Sequence, residues 1–549
     1  MIVYKQSGCN SINMGGTAES SLCPLSFRDG GFFYCSFLNL AARFTPIVIL
    51  YNRSLLKEVS MVTSYEEVSK YETEYSFIPI CKEILSDMLT PILLLKRFAD
   101  SSDNFFLLES VEGGEHFGRY SFLGVHPSLR LFAKEGKAVR KTNSVEQTLT
   151  VTPVEALRNL LEEYKSPKIS GMPTFTGGMV GYFSYEMIGY AEPKLRLKPN
   201  NFYDYDLSLF DKLVVFDHLK QKIMVIANYR AKDGIKGYEQ AVKDIDTMIT
   251  RIFDNTPLPD LTPETIGEFI CNTSKDKYYE MVERTKQYIR EGDIFQGVIS
   301  RRFEAAYKGS LLNAYRILRT TNPSPYMYFI QCEDLQIAGT SPETMIKLEN
   351  KKLTTFPVAG TRPRGKTKEE DNSLEEELLH DEKELSEHNM LVDLARNDVG
   401  RIAEYGTVIV EEYMKIHRFS KVMHIASVVS GTIRGDKDSC DTISALLPAG
   451  TLSGAPKFRA CEIIDELEKD ARGIYGGAIG YLDFSGNLDL CIAIRTAVKK
   501  GDTVYVQAGA GIVADSIPEK EYEECANKAM AVMDAVKRAG EVMDYDFTH

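Results

Sequence analysis

Apolar positions along the chain follow two periods. Spacings of three and four residues mark helices, while alternation or short unbroken runs mark strands. Residues 79–88 read as a short helix. FFLLE (105–109) reads as a strand closed by a Gly113-Gly114 turn. Residues 153–164 carry an amphipathic helical pattern, with Thr152 placed to cap it and Pro153 in its first turn. Residues 177–184 form a glycine-spaced strand, 213–216 and 222–227 a hairpin, and 231–251 a helix charged on one side. The Pro- and Thr-rich DNTPLPDLTPET (254–265) reads as a linker.

Beyond it a helix spans 275–290. Strands recur at 294–303, 326–331, 346–349, 352–357 and 407–411, with helices at irregular spacing between them. Regular strand–helix–strand alternation is missing, so α+β is expected rather than a doubly wound sheet. Residues 476–484 and 489–498 pair as a hairpin about Ser485-Gly486. A strand at 503–507 leads into AGAGIV, and a last helix covers 518–538. The division expected is 61–255 and 266–540, after a leader of residues 1–60.

DEKELSEHNMLVDLARNDVGR (381–401) is one helix by its periodicity. Asn389, Asp393 and Asn397 fall on an outer arc, and Leu385, Leu391, Val392 and Ala395 on the opposite one. Glu384 and His388 share the inner arc and Glu387 sits at its edge. A carboxylate turned toward a core needs a cation or metal partner. Acids near a helix start also suit the dipole and can be hydrated there.

Composition narrows the classes. The 549 residues are 44% hydrophobic and 26% charged, as in ordinary globular proteins. With 65 basic and 78 acidic residues the net charge is −13, which argues against nucleic-acid partners. Ten cysteines show no CxxC and no zinc spacing, so they read as reduced core thiols of a cytoplasmic protein. GFFYCSFLNLAARFTPIVILY (31–51) is broken by Asn39, Arg43 and Pro46 and makes a poor membrane span. Met61 opens the ordinary sequence, and residues 1–60 read as spurious or disordered.

Several stretches carry candidate chemistry. Glu521 and Glu524 lie one turn apart in the last helix, with Lys528 on the same side. Taken with Glu384 and Glu387, they suggest two helices offering carboxylates to a hard cation such as Mg²⁺. Ala508-Gly509-Ala510-Gly511 could bring backbone amides to an anion, or simply turn the chain. PVAGTRPRG (357–365) and GTLSGAPK (450–457) join small residues to cations. Arg495 stands on an otherwise apolar run, where an unpaired charge is costly, and suits a carboxylate clamp. His424 also lies on an apolar run, where a packed core histidine is the ordinary role.

These motifs, together with YGGAIGY, CIAIRT and QAGAGIV, resemble those of the chorismate-utilising enzymes over residues 275–538. LLES (107–110), GRYSFLG (118–124) and NPSPYMYF (322–329) are similar to its anthranilate synthase component I branch. The resemblance implies large antiparallel β-sheets packed as a sandwich-like core, with helices outside. It implies one Mg²⁺ on Glu387 and Glu524, supported by Glu384 and Glu521. Chorismate would be surrounded by Gly360, Thr361, Tyr475, Arg495, Gly509, Ala510 and Gly511. Glu343 matches an acid that protonates the departing C4 hydroxyl, which calls for a raised pKa. Thr451 and His424 match active-site positions, the latter assigned to pyruvate elimination.

Two positions divide the family. Members that aminate C4 through a covalent lysine carry it where this chain has Ala359, and members that hydrate C2 carry a lysine where it has Gln296. Without either amine, ammonia is the expected nucleophile at C2. The implied reaction gives anthranilate and pyruvate, the first step of tryptophan biosynthesis. No glutaminase-like segment is present, so a separate glutamine amidotransferase subunit (component II) is implied, in a heterotetramer. Ser110, Pro325, Tyr326 and Met327 match the contacts of an inhibitory tryptophan.

Overall fold

The structure is a computed structural model that describes residues 63–542 apart from 100–101, 111–117, 143–144, 255, 257–263 and 419–421. The 1–60 leader, Met61, the Gly113-Gly114 turn and most of the 254–265 linker lie outside the described residues.

Two antiparallel sheets, of 13 and 12 strands, form the body. In the first sheet the order runs from Phe77–Leu85 through Lys222–Arg230, Lys212–Asp217, Tyr120–Val125 and Asn104–Glu109 to Tyr326–Cys332, Leu335–Ser341, Thr496–Lys500, Thr503–Ile512 and Gln296–Lys308. The second joins Val358–Pro363, Val422–Thr432 and Leu488–Ile492 to Ala478–Asp483, Gly178–Phe183 and Tyr205–Phe210. Strands from both sides of the 254–265 stretch therefore share each sheet.

Alternation along the strands explains the layering. In Tyr326–Cys332, Met327 and Phe329 pack in a cluster with residues of the Lys275–Arg290 and Pro518–Lys537 helices. Tyr328 and Ile330 point the other way, into a cluster shared by both sheets. Ala478–Asp483 mirrors this: Ile479 and Tyr481 enter the shared cluster, while Ala478 and Leu482 join the core under the other helices. The result is the expected α+β sandwich with helices outside. No helix among the described residues is long and apolar enough to cross a membrane.

Local chemistry fixes several ends. The Pro153–Glu163 helix opens with a capping box, in which Glu155 N–H donates to Thr152 Oγ1 at 3.3 Å and Thr152 N–H to Glu155 Oε2 at 3.1 Å. The Lys275–Arg290 helix has its expected bounds, with Ser274 as cap. Three readings change. Residues 79–88 are not a helix: Phe77–Leu85 is a strand paired with Lys222–Arg230. Its Ile78, Ile80 and Ile84 keep the two-residue period of one strand face, in the helix-side core. AGAGIV is not a turn but continues the Thr503–Ile512 strand. The 489–498 run is two strands, Leu488–Ile492 and Thr496–Lys500, which belong to different sheets.

Candidate active site

The expected acidic helix is Glu382–Gly400. Its cap is Asp381, whose Oδ1 accepts the Lys383 and Glu384 amides at 3.1 and 3.2 Å. Arg362 donates to the other Asp381 oxygen at 2.9 Å and to Glu377 at 2.9 Å. Arg364 pairs with Asp371, and Lys457 of GTLSGAPK with buried Asp398 at 2.9 Å. These three cations, which the sequence sets beside small residues in two candidate loops, anchor the segments that carry Gly360 and Thr451.

Gly360 adopts a φ of +64°, which favours glycine. A β-carbon there would lie 2.9 Å from Leu378 and 3.3 Å from Glu384 Oε2, so Glu384 borders this backbone. One turn on, the Glu387 carboxyl is pushed up by burial first, then by Glu384, with Glu524 adding to it. Glu521 is pushed up by burial and by Glu524, and Lys383 of the acidic helix opposes this. The two acidic pairs therefore feel each other across one cleft. Lys528 pairs with Glu524 at 2.7 Å and donates to the Gly509 carbonyl at 3.3 Å. Among the described residues no three acidic, histidine or cysteine side chains converge closely enough to enclose an ion. Mutually repelling carboxylates at an open cleft nonetheless fit Mg²⁺, which takes one or two carboxylates and completes its shell with water and substrate oxygens.

Arg495 is not on a strand. It sits where the chain passes between the two sheets, with a φ of +53°. Its Nη1 donates to the Lys528 carbonyl at 2.9 Å, and it makes no salt bridge with any described carboxylate. Burial lowers its pKa, against the raising effect of Tyr475 and Glu524 nearby. A mostly buried guanidinium in that state suits an incoming carboxylate. Arg495, Glu524, Asn527 and Lys528 line an open cleft of about 340 Å³.

Gly509, Ala510 and Gly511 pair with Ser300, Ile299 and Val298. Ala510 packs in the helix-side core, so alternation turns Gly509 and Gly511 to the other face. A β-carbon on Gly509 would lie 2.9 Å from the Tyr475 hydroxyl, and one on Gly511 would overlap the Gln296 amide nitrogen. Gln296 is buried, and its Oε1 has no hydrogen-bond partner among the described residues.

On the neighbouring sheet, His424 Nδ1 lies 2.9 Å from the Gly360 carbonyl and 3.0 Å from Thr361 Oγ1. Burial lowers the His424 pKa, and Arg495 lowers it further. Burial pushes Glu343 up to about 7, with Thr451 and Lys528 opposing. The Thr451 hydroxyl lies beside this carboxyl yet makes no hydrogen bond of ordinary geometry. Both residues line a small cavity of about 50 Å³, which Asp398 also reaches. His388 is fully buried and bonds Ser427 at 2.7 Å, a packing role. The sequence reading gave Asp398 no part, although its place on the inner arc of the acidic helix was a signal.

A second cleft, of about 290 Å³, gathers Ser110, Pro325, Tyr326 and Met327. Its walls include Tyr120, Phe122 and Tyr481. The Ser110 hydroxyl is buried with no partner among the described residues, and Tyr326 donates to Asp489 at 2.7 Å.

Comparison with known proteins accords with this arrangement. Residues 103–534 match the family described as chorismate binding enzyme. The chain is 47% identical to "Anthranilate synthase component 1" of Acetivibrio thermocellus over 87% of its own length and 99% of that protein. It is 44% identical to the protein of that name from Aquifex aeolicus, over 87% and 98%. The crystal structure of anthranilate synthase component I from Streptococcus pneumoniae TIGR4 superposes with a TM-score of 0.69 at 38% identity, covering 82% of this chain and 98% of that one. The menaquinone-specific isochorismate synthase MenF of Escherichia coli shares the fold, with a TM-score of 0.61 at 19% identity over 86% and 99%. The chain thus belongs to the chorismate-binding enzymes, in their anthranilate synthase component I family.

Proposed function

We propose that the chain converts chorismate and ammonia to anthranilate and pyruvate, with ammonia delivered from glutamine by a separate amidotransferase subunit. The observation that carries this reading is Gln296 packed against Gly511. Where relatives that hydrate C2 hold a lysine, the site offers a neutral amide that cannot deprotonate water. Ala359 likewise leaves no amine for covalent attack at C4.

The geometry supports a role for each residue. Arg495 clamps a substrate carboxylate, and Gly509, Gly511 and Gly360 let the backbone come close to the ring. Thr361 and Tyr475 border the same space, and Ala510 contributes backbone alone. Glu343, its pKa raised to about 7 by burial, gives its proton to the departing C4 hydroxyl, with Thr451 beside it. Neutral His424 then serves the elimination of pyruvate. Glu387 and Glu524, backed by Glu384 and Glu521, would hold Mg²⁺, which when bound supplies Lewis-acid polarisation of the substrate carboxylate.

The cleft around Ser110, Pro325, Tyr326 and Met327 is proposed as a feedback site for tryptophan. Aromatic walls beside the Ser110 hydroxyl suit an aromatic amino acid. A heterotetramer with component II, in the cytoplasm, completes the proposal, and the component 1 naming of the relatives supports the partner.

One assay tests the reaction. Purified protein, chorismate, Mg²⁺ and ammonium salt at alkaline pH should produce anthranilate fluorescence. A 4-amino product, or no turnover, would overturn the proposal.

A further inference from the structure

Glu186 lies outside the substrate cleft, in the short Tyr185–Met187 turn contributed by the first half of the chain. Its Oε1 accepts the Arg472 amide at 2.8 Å. The Gly473 amide lies 3.1 Å from both its oxygens, and Asn200 Nδ2 donates to Oε2 at 3.0 Å. Gly473 has a φ of +64°, so two successive amides converge on one anion as in a backbone nest. The Tyr185 amide closes the loop on the Gly473 carbonyl at 2.8 Å. Two residues later the same backbone presents Tyr475.

Arg472 carries this network under the site. It is 3% exposed. Nε and Nη2 donate to Glu468 at 2.9 and 2.6 Å, Nη1 to the Leu452 carbonyl at 2.5 Å, and Nη2 to the Val298 carbonyl at 2.6 Å. Glu468 Oε1 also accepts the Ser300 amide and hydroxyl, both at 2.8 Å. The Arg472 guanidinium lies 5.7 Å from the Tyr475 ring centroid. One buried ion pair thus ties the Gly450–Leu452 turn that carries Thr451, the strand of Gln296 beside Gly509, and the segment of Tyr475. A well-packed apolar pair would serve stability as well as a buried ion pair does. It could not hold two backbone carbonyls and a serine at fixed distances.

We propose that Glu186, Arg472 and Glu468 are positioning residues for the substrate site, holding Tyr475 and Thr451 in place from beneath. The first half of the chain then takes part in turnover through Glu186. This inference rests on the chorismate site proposed above.

The test compares chorismate binding by calorimetry, anthranilate turnover and thermal stability in three proteins: wild type, Arg472→Met/Glu468→Leu, and Glu186→Gln. The double variant strands the Leu452 and Val298 carbonyls and the Ser300 donors, so it should melt below wild type while keeping a native circular-dichroism spectrum. It should lose about ten- to hundredfold in kcat/KM, mostly through KM, the range spanned by charge-assisted hydrogen bonds. Its Mg²⁺ half-saturation should not move, whereas general loosening would shift both. Glu186→Gln, which keeps side-chain volume, should show a smaller rise in KM and decides the matter if the double variant does not fold. Glu186→Asp should recover part of the loss. Variants that bind and turn over chorismate like wild type would overturn the inference. A wild type that binds chorismate without making anthranilate would sink the reaction, and the binding comparison would still decide the positioning role. A wild type that does not bind chorismate would overturn both.

Discussion

His424 Nδ1 lies 2.9 Å from the carbonyl oxygen of Gly360. A carbonyl only accepts, so Nδ1 carries the ring proton and Nε2 is the basic nitrogen. The lowered pKa keeps the ring neutral at physiological pH. His424→Ala should therefore still consume chorismate, while anthranilate formation falls by about two orders of magnitude or more. Chorismate loss and fluorescence followed together check this; an equal fall in both would remove His424 from the elimination step.

Glu343 is protonated below about 7 and ionises as pH rises through that value. A general acid acts only while it holds its proton. With rates corrected for free ammonia, kcat/KM for chorismate should fall about tenfold per unit of pH above that point. Glu343→Gln should abolish the dependence along with most of the activity. A flat corrected profile in wild type would assign the proton to another group.

Glu387 is pushed up by burial and by its acidic neighbours, so its charge is held at a cost that a cation would relieve. Glu387→Gln should raise the Mg²⁺ needed for half-maximal turnover by at least about tenfold, a loss of the size of one charge-assisted contact. Without Mg²⁺ its melting temperature should equal or exceed that of wild type. An unchanged Mg²⁺ requirement would take Glu387 out of the metal site.

Gly511 has no room for a side chain beside the Gln296 amide. Gly511→Ala should cost about ten- to hundredfold in kcat/KM, as overpacking against a buried group does. Circular dichroism should stay native. Wild-type kinetics would show that Gln296 can move without consequence.

Ser110 holds a buried hydroxyl with no hydrogen-bond partner among the described residues. Ser110→Ala should weaken tryptophan inhibition by about tenfold, the worth of one hydrogen bond to a charged ligand, and spare turnover without effector. Equal inhibition of both proteins would refute the assigned cleft.

The sequence was readable where one local rule decided the outcome. Thr152 with Glu155 announces a capping box, and the structure contains it. The 381–401 pattern places Asn389 and Asp393 outward and Leu391 and Val392 inward, as found. It failed where tertiary pairing decided. FIPICKEIL (77–85) is apolar enough for either period, and its pairing with Lys222–Arg230 makes it a strand. AGAG has turn composition, yet its glycines are there because Tyr475 and Gln296 press against a strand. Arg362, Arg364 and Lys457 stood out only as cations beside small residues, and their pairing with Asp381, Asp371 and Asp398 became visible in the fold. Glu186 gave no local signal, since the Arg472 and Gly473 amides that it accepts lie almost 300 residues away.

Arg495 hangs from the short passage between Leu488–Ile492 and Thr496–Lys500, one strand in each sheet. Its backbone therefore belongs to neither sheet, and its guanidinium is tied to the last helix through the Lys528 carbonyl. The location of Arg495 registers the offset between the two sheets. The Ser110 cleft lies between the same sheets, with Tyr328 from one and Cys491 from the other among its walls. Only Ile492, Ala493 and Ile494 separate Cys491 from Arg495. The proposed grip of Arg495 on substrate thus depends on the spacing of the sandwich as well as on the residues at its mouth.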